Sequence, residues 1–100
     1  MAQTIDDLTI EYVDEGVTTI KQLDKIVLTK GAWSTIVYKY QDWEKAKQRY
    51  SPPKYSIRRY QKRNDQYNLK SKFNISSTDQ AQKLIEILNH WIAEDGKVEA

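Results

Sequence analysis

The chain has 100 residues and no cysteine. This length suffices for one hydrophobic core, and the missing thiols exclude a disulfide framework and thiolate metal sites. The first residues lack the basic start and the apolar run of a secretory signal, and no stretch is apolar enough to span a bilayer. We therefore expect a cytoplasmic protein that does not enter the membrane.

The net charge of +2 hides a strong segregation of charge along the chain. Residues 1–24 carry one lysine and six acids, residues 25–76 carry thirteen lysines and arginines with three acids, and residues 77–100 carry two lysines and five acids. Six of the seven tyrosines also lie in the basic middle region. Basic charge that coincides with aromatic surface favours a nucleic-acid partner.

Three regions follow from this composition: an acidic segment over residues 1–24, a single sheet-plus-helix domain over 25–96 and a tail over 97–100. Within the acidic segment, residues 8–13 and 17–23 are β-prone and flank a turn, which predicts an extra N-terminal hairpin. The acidity also allows a second interpretation, in which the segment is a loose arm or a cover for part of a basic sheet.

The basic region begins with two predicted antiparallel strands, residues 25–29 and 33–43, joined by a turn at Lys30-Gly31. The second strand reads WSTIVYKYQDW, and its β-branched and aromatic residues favour a strand over a helix. Residues 44–53 are polar and end in Ser-Pro-Pro, which predicts a loop.

Residues 54–63 and 67–75 predict a second hairpin around Asn64-Asp65. Side chains alternate across a strand, so one face is expected to be basic and the other apolar. The expected basic face combines Ser56, Arg58, Tyr60 and Lys62 with Asn68, Lys70, Lys72 and Asn74. The expected apolar face of the last strand carries Tyr67, Leu69, Ser71, Phe73 and Ile75.

A C-terminal helix is predicted from the capping-box pattern of Ser77 and Gln80 to about Glu94, with Gly96 ending it. The predicted fold is therefore α+β, a four-stranded antiparallel sheet followed by one helix (β-β-β-β-α). The apolar side of the helix spans about 160°, which is wider than packing on one sheet requires. We expect the surplus to pack against a second copy as a homodimer. The expected dimer interface consists of Leu84, Ile87, Leu88 and Trp91.

The strongest functional signal is the hairpin over residues 54–72, which carries seven cations and one acid. A cationic face bearing an aromatic ring suits a single strand, because phosphates are attracted by the charge and bases stack on the ring. The predicted nucleic-acid-binding residues are Lys39, Arg58, Tyr60, Lys62, Arg63, Lys70 and Lys72. The alternative is a solvated face whose cations serve solubility and protect a sheet edge, although such a face would also carry glutamates.

Further aromatic residues of the sheet have two possible roles. Trp33, Tyr38, Tyr40 and Trp43 could add stacking platforms, but we expect about half of them to be in the core. Catalysis is not expected, because His90 is the single histidine and no paired base is visible. No metal site, glycine-rich phosphate motif or small-molecule cofactor is expected either.

The run YSIRRYQKRNDQYNLKSKFNIS followed by STDQAQKLIEIL resembles the transcriptional coactivator family of single-stranded-DNA-binding proteins, the positive-cofactor-four type. Residues 57–60 are similar to the family's Ile-Arg-x-Tyr strand, residues 72–76 to its next strand, and residues 84–88 to its helix. The resemblance covers about residues 25–92. It implies a β-β-β-β-α fold, a homodimer joined partly through the helices, and single-stranded DNA on the basic sheet. The connection over 44–53 is longer than the family's.

The sequence therefore fits two functions from different classes. The first is non-catalytic binding of single-stranded DNA or RNA by the basic sheet. The second is a protein-interaction or structural module with the same fold and no nucleic-acid ligand, which the wide apolar side of the helix and the acidic N-terminal segment also fit. Salt-dependent affinity for polyanions distinguishes the two.

Overall fold

The computed structural model describes residues 4–96, so the predicted tail over 97–100 lies outside the described residues. The α+β class is confirmed, since a curled antiparallel sheet is followed by one C-terminal helix. The sheet has six strands where four were predicted. A 3-10 turn (Ile5–Asp7) precedes β1 (Tyr12–Asp14), β2 (Val17–Thr29), β3 (Trp33–Glu44), β4 (Arg49–Tyr50), β5 (Lys54–Arg63), β6 (Gln66–Ile75) and α1 (Thr78–Asp95).

The strands follow the order β1-β2-β3-β5-β6, all antiparallel, with the short β4 paired to β3 alone. Two of the predicted turns are two-residue hairpin turns with positive φ at both positions. Glu15 and Gly16 have φ of 49° and 80°, and Asn64 and Asp65 have φ of 52° and 60°. Gly, Asn and Asp tolerate this left-handed conformation, which matches the twist of the flanking strands.

The long strand β2 differs from the prediction, which divided it into residues 17–23 and 25–29. It runs unbroken from Val17 to Thr29 and takes up its bends at two bulges, between Gln22 and Asp24 and between Val27 and Thr29. The predicted N-terminal hairpin is present as β1 and the first part of β2, although β1 has only three residues.

The predicted loop over residues 44–53 is interrupted by a strand: residues 45–48 and 51–53 are turn or irregular, but Glu44 belongs to β3 and Arg49–Tyr50 form β4. After Glu44 the chain reverses in a short turn. In β4, Tyr50 pairs with Trp43 and Arg49 pairs with Glu44. The rings of Trp43 and Tyr50 meet edge to face at 5.1 Å between centroids, and the Tyr50 hydroxyl donates to the Thr18 carbonyl at 2.8 Å. Contact between the aromatic side chains that flank the turn thus outweighs its polar composition.

Strand β3 defines the two faces of the sheet. Ile36, Tyr38 and Tyr40 are buried on what we call the inner face, whereas Thr35 and Val37 on the outer face are only partly buried. The prediction that about half of the sheet aromatics belong to the core is confirmed. Tyr38 and Tyr40 are buried, and Trp33 and Trp43 are not.

The core forms where residues 5–10, here called the N-terminal arm, cross the inner face. Ile5, Leu8 and Ile10 are buried against the sheet. Their partners on the inner face are Ile36, Tyr38, Tyr40 and Tyr60. The arm is also held by polar contacts, since Lys25 Nζ donates to the carbonyls of Ile5 and Leu8 at 2.5 and 2.8 Å. The acidic segment therefore covers part of the sheet, as the second interpretation proposed.

Helix α1 begins as predicted, because the Ser77 hydroxyl accepts a hydrogen bond from the Gln80 backbone N–H at 3.1 Å. It contacts its own sheet mainly at β6, and none of its residues is buried. Leu88 and Trp91, which are expected in the dimer interface, are 46% and 56% exposed in the single chain. Neither helical segment within residues 4–96 has the length and apolar character needed to cross a membrane.

Candidate nucleic-acid interface

The cations predicted from alternation come together on the inner face of β5 and β6. Arg58 and Lys72 are direct cross-strand partners, and Lys62 lies four residues beyond Arg58, opposite Tyr67. Lys62 and Lys72 are exposed, and Arg58 is partly buried. We call these three cations, together with the exposed Lys70 next to them on β6, the basic strip.

A bulge in β6 changes part of the predicted pattern. Arg59 pairs with Ser71 but Tyr60 pairs with Leu69, so Lys70 is an extra residue without a cross-strand partner. Before the bulge the alternation is reversed, and Tyr67 and Leu69 lie on the inner face with Lys72. Their predicted place on the apolar face is wrong because one inserted residue exchanges the two faces.

The basic strip has no acidic partner within the described chain. Ion pairs in residues 4–96 join Arg49 to Glu44, Lys54 to Asp42 and His90 to Glu94. The hydrogen bond from Lys54 to Asp42 raises the pKa of that lysine. Arg58 and Lys72, in contrast, face each other as like charges, an arrangement that disfavours the sheet unless an anion binds there. The strip therefore presents a positive field to solvent.

Arg58 is positioned by a short hydrogen-bond chain. Its Nε donates to the Ser56 hydroxyl at 3.1 Å, and this hydroxyl donates to Asn74 Oδ1 at 2.7 Å. Ser56 is fully buried, which fixes the base of the arginine side chain. The bond engages Nε, whereas the fork of terminal nitrogens is the part of a guanidinium that binds phosphate bidentately.

Tyr60 is not available for the stacking role predicted for it. It is 5% exposed, and its hydroxyl lies 3.0 Å from the hydroxyl of the fully buried Tyr38. Burial raises the pKa of Tyr38 well above its usual range, so that phenol stays neutral. Alternation correctly placed Tyr60 beside the cations, but the N-terminal arm covers the same part of the face. The apolar residues Ile5, Leu8 and Ile10 indicate such a covering segment, and the sequence prediction overlooked them.

Two other predicted contacts are separated from the strip. Lys39 alternates with the buried Tyr38 and Tyr40 and therefore lies on the outer face, away from the basic strip. Arg63 is exposed at the β5–β6 turn, just past the end of the strip. Lys39 is thus not brought together with the other predicted residues, and Arg63, whose position alternates with that of Lys62, lies next to the strip at the turn but not within it.

Rings available for stacking lie at the end of the sheet where the β2–β3 and β5–β6 turns meet. Lys62 Nζ lies 5.5 Å from the centroid of the Tyr67 ring on the inner face. On the outer face, the Arg59 guanidinium covers the Trp33 ring at 4.4 Å, and Trp33 is 42% exposed. The sequence prediction missed Tyr67 because the bulge was not foreseen.

The outer face and helix α1 carry a second, apolar surface. Phe73 and Ile26 of the sheet are 57% and 64% exposed. Of the predicted dimer-interface residues, Leu84 is partly buried and Ile87, Leu88 and Trp91 are exposed. We call this region of Ile26, Phe73 and the apolar side of α1 the apolar surface.

The remaining titratable groups add no further cluster in the described part of the chain. His90 is exposed on α1 and lies 3.2 Å from Glu94. Residues 4–96 contain no group of three or more His, Asp or Glu side chains with the spacing of a metal site.

Comparison of the chain with protein-family models, with curated proteins and with solved structures finds no match. Function is therefore inferred from the geometry and chemistry of the basic strip and its surroundings.

Proposed function

We propose that this chain is a non-catalytic single-stranded nucleic-acid-binding domain that works as a homodimer, as the resemblance to the positive-cofactor-four family also implies. The observation that supports it most directly is the basic strip, in which four cations of β5 and β6 have no acidic partner within the described residues. A polyanion relieves the repulsion between Arg58 and Lys72, and counterion release adds to the affinity.

A single strand suits this surface better than a duplex. The strip ends at Tyr67, whose ring lies beside Lys62 on the inner face. The Trp33 ring lies beside Arg59 at the same end of the sheet, on the outer face. Unpaired bases can stack on such rings, at about 1–3 kcal/mol per base, whereas the bases of a duplex are stacked on each other. The buried Tyr60 does not stack on a base in this proposal. Bases stack instead on the rings at the end of the sheet.

The homodimer is supported by the apolar surface. The exposed side chains of α1 that it includes are Ile85, Ile87, Leu88, Trp91 and Ile92. With Ile26 and Phe73 they leave a large amount of apolar side chain exposed, as the interfaces of homodimers typically do before assembly. The radius of gyration of 16.3 Å also exceeds the ~13 Å of a compact domain of this length. A second copy would cover the helix, which has no buried residue of its own.

Fluorescence anisotropy with oligo-dT, oligo-rU and a duplex of equal length tests the proposal. We expect both single strands to bind more tightly than the duplex, with affinity falling steeply as salt is added. An absence of salt-dependent affinity for every single strand would reject nucleic-acid binding.

A second candidate function is a protein-interaction module without a nucleic-acid ligand. The observation that favours it is the exposure of the apolar surface, because exposed apolar patches often mark sites of protein–protein contact. Retention on a heparin column discriminates, because an interaction module of net charge +2 should elute at low salt.

A further inference from the structure

An open groove lies between the N-terminal arm and the end of the sheet that carries Tyr67. Its lining combines side chains of three chemical kinds: cations, an aromatic ring, and the polar and apolar side chains of the arm. The lining residues are Thr4, Ile5, Asp6, Val27, Lys30, Lys62 and Tyr67. Lys62 belongs both to this groove and to the basic strip, so a strand that follows the strip along β6, past the exposed Leu69, reaches the groove.

Tyr67 is held in a fixed position for a stacking partner. Its ring is partly buried and packs against the core residues beneath the arm. The side chain that covers it from solvent is the exposed Lys62, with Nζ 5.5 Å from the ring centroid. Stacking of a base is stronger than an exposed lysine–ring contact, so a base can displace Lys62. The displaced ammonium then remains close to the phosphate of the same nucleotide.

The charges of the groove give a bound nucleotide one orientation. Lys30 and Lys62 attract its phosphates, whereas the carboxylate of Asp6 repels them. The base therefore faces the arm. A carboxylate only accepts hydrogen bonds, so it favours bases that present an exocyclic amino group, such as cytosine and adenine. Thymine and uracil offer only the N3–H, which lies between two carbonyl oxygens that repel a carboxylate, and therefore bind Asp6 more weakly.

We propose that this groove is a base-selective nucleotide site in which Tyr67 stacks on one base of the bound strand and Asp6 selects amino-bearing bases. This inference rests on the proposed single-strand binding, and it adds a base preference that the basic strip alone does not provide. Phosphate contacts carry no sequence information, so preference must come from groups that reach the base.

The affinities of oligo-dC and oligo-dT of equal length, measured by anisotropy at neutral pH, test the selectivity. We expect oligo-dC to bind the wild type about threefold or more tightly than oligo-dT. Asp6→Asn should bring the ratio close to one, because the amide can also donate to the thymine carbonyl. Asp65→Asn is the matched control, since it makes the same charge change at the exposed β5–β6 turn and should leave the ratio unchanged.

Stacking is tested separately with Tyr67→Leu, which keeps an apolar contact with the core but removes the aromatic face. It should weaken binding of both oligonucleotides about fivefold or more without changing the salt dependence. Tyr67→Phe should bind as the wild type does, and circular dichroism establishes that each variant is folded.

The outcomes separate this inference from the function on which it rests. Equal affinity for oligo-dC and oligo-dT, with strong salt-dependent binding of both, overturns the selective groove and leaves the proposed function standing. The same shift in ratio for Asp6→Asn and Asp65→Asn overturns it as well, because the effect would then come from net charge. No binding to either oligonucleotide overturns the proposed function itself.

Discussion

The hydroxyl oxygens of Tyr38 and Tyr60 lie 3.0 Å apart between the sheet and the N-terminal arm. The two side chains are 0% and 5% exposed. Each satisfies the polar group of the other, which allows two phenols to be buried among the side chains of Ile5, Leu8 and Ile10. The inner-face tyrosines therefore stabilise the fold, and binding of bases is assigned to Tyr67.

This burial makes stability sensitive to alkaline pH. Desolvation raises the pKa of Tyr38 and of Tyr40 above the ordinary value of 10.0. Because their pKa is raised in the folded state, these tyrosines lose their hydroxyl protons at a lower pH in the unfolded chain than in the folded chain. The contribution of these two tyrosines to stability is therefore constant below about pH 10 and falls above it, by at most about 1.4 kcal/mol per pH unit for each group.

Chemical unfolding at several pH values between about 9 and 12, followed by circular dichroism, measures this slope. The Tyr38→Phe/Tyr60→Phe double variant leaves no orphaned hydroxyl and should show a shallower alkaline slope than the wild type. If the slope of the double variant equals that of the wild type, Tyr38 does not carry the alkaline sensitivity.

The packing of the N-terminal arm on the sheet should depend on Lys25, whose ammonium donates to the carbonyls of Ile5 and Leu8. We expect Lys25→Met to lower the free energy of unfolding by about 2 kcal/mol, because two charge-assisted hydrogen bonds are lost. Lys83→Met, on the exposed side of α1, removes the same charge and should change stability by less than about 0.5 kcal/mol. Equal urea midpoints for the two variants would show that these bonds do not hold the arm.

The features that sequence predicted well are those set by neighbouring residues. The β-branched and aromatic run of β3, the turn at Asn64-Asp65 and the Ser77 cap of α1 were all recognisable because each depends on local geometry. The grouping of Arg58, Lys62 and Lys72 was also predictable, since strict alternation holds along β5 and at Lys72.

The features that sequence missed depend on distant parts of the chain. The bulge at Lys70 arises from pairing with β5 and moved Tyr67 to the inner face. Burial of Tyr60 depends on Ile5 and Leu8, more than fifty residues earlier. Strand β4 depends on contact between Trp43 and Tyr50 across a polar turn. None of these pairings leaves a periodic signal in its own segment.

The apolar surface should make the chain a dimer at micromolar concentration in sedimentation. Trp91, 56% exposed in the single chain, lies near the middle of the apolar side of α1. We expect Trp91→Ala to shift the chain toward monomer, because large aromatic side chains often dominate such interfaces. Val13→Ala, at a similarly exposed position on β1, should leave the dimer intact. A wild-type chain that sediments as a monomer would contradict the homodimer.

The salt dependence of binding reports how many cations contact phosphates. If the four residues of the basic strip each neutralise one phosphate, log K for a single strand should fall with log salt at a slope near −2.8, using about 0.7 per contact. We expect Lys70→Ala/Lys72→Ala to flatten this slope by about 1.4. Stacking on Tyr67 releases no counterions, so Tyr67→Leu should leave the slope unchanged.

Lys39→Ala is the matched control that tests which face of the sheet binds the nucleic-acid strand. Lys39 is exposed like Lys70 and Lys72, but it lies on the outer face of β3. Its removal should leave the slope within experimental error of the wild type, because it contacts no phosphate of a strand bound to the inner face. Should Lys39→Ala flatten the slope by about 0.7 while Lys70→Ala/Lys72→Ala does not, the strand lies on the outer face and the basic strip is not the binding surface.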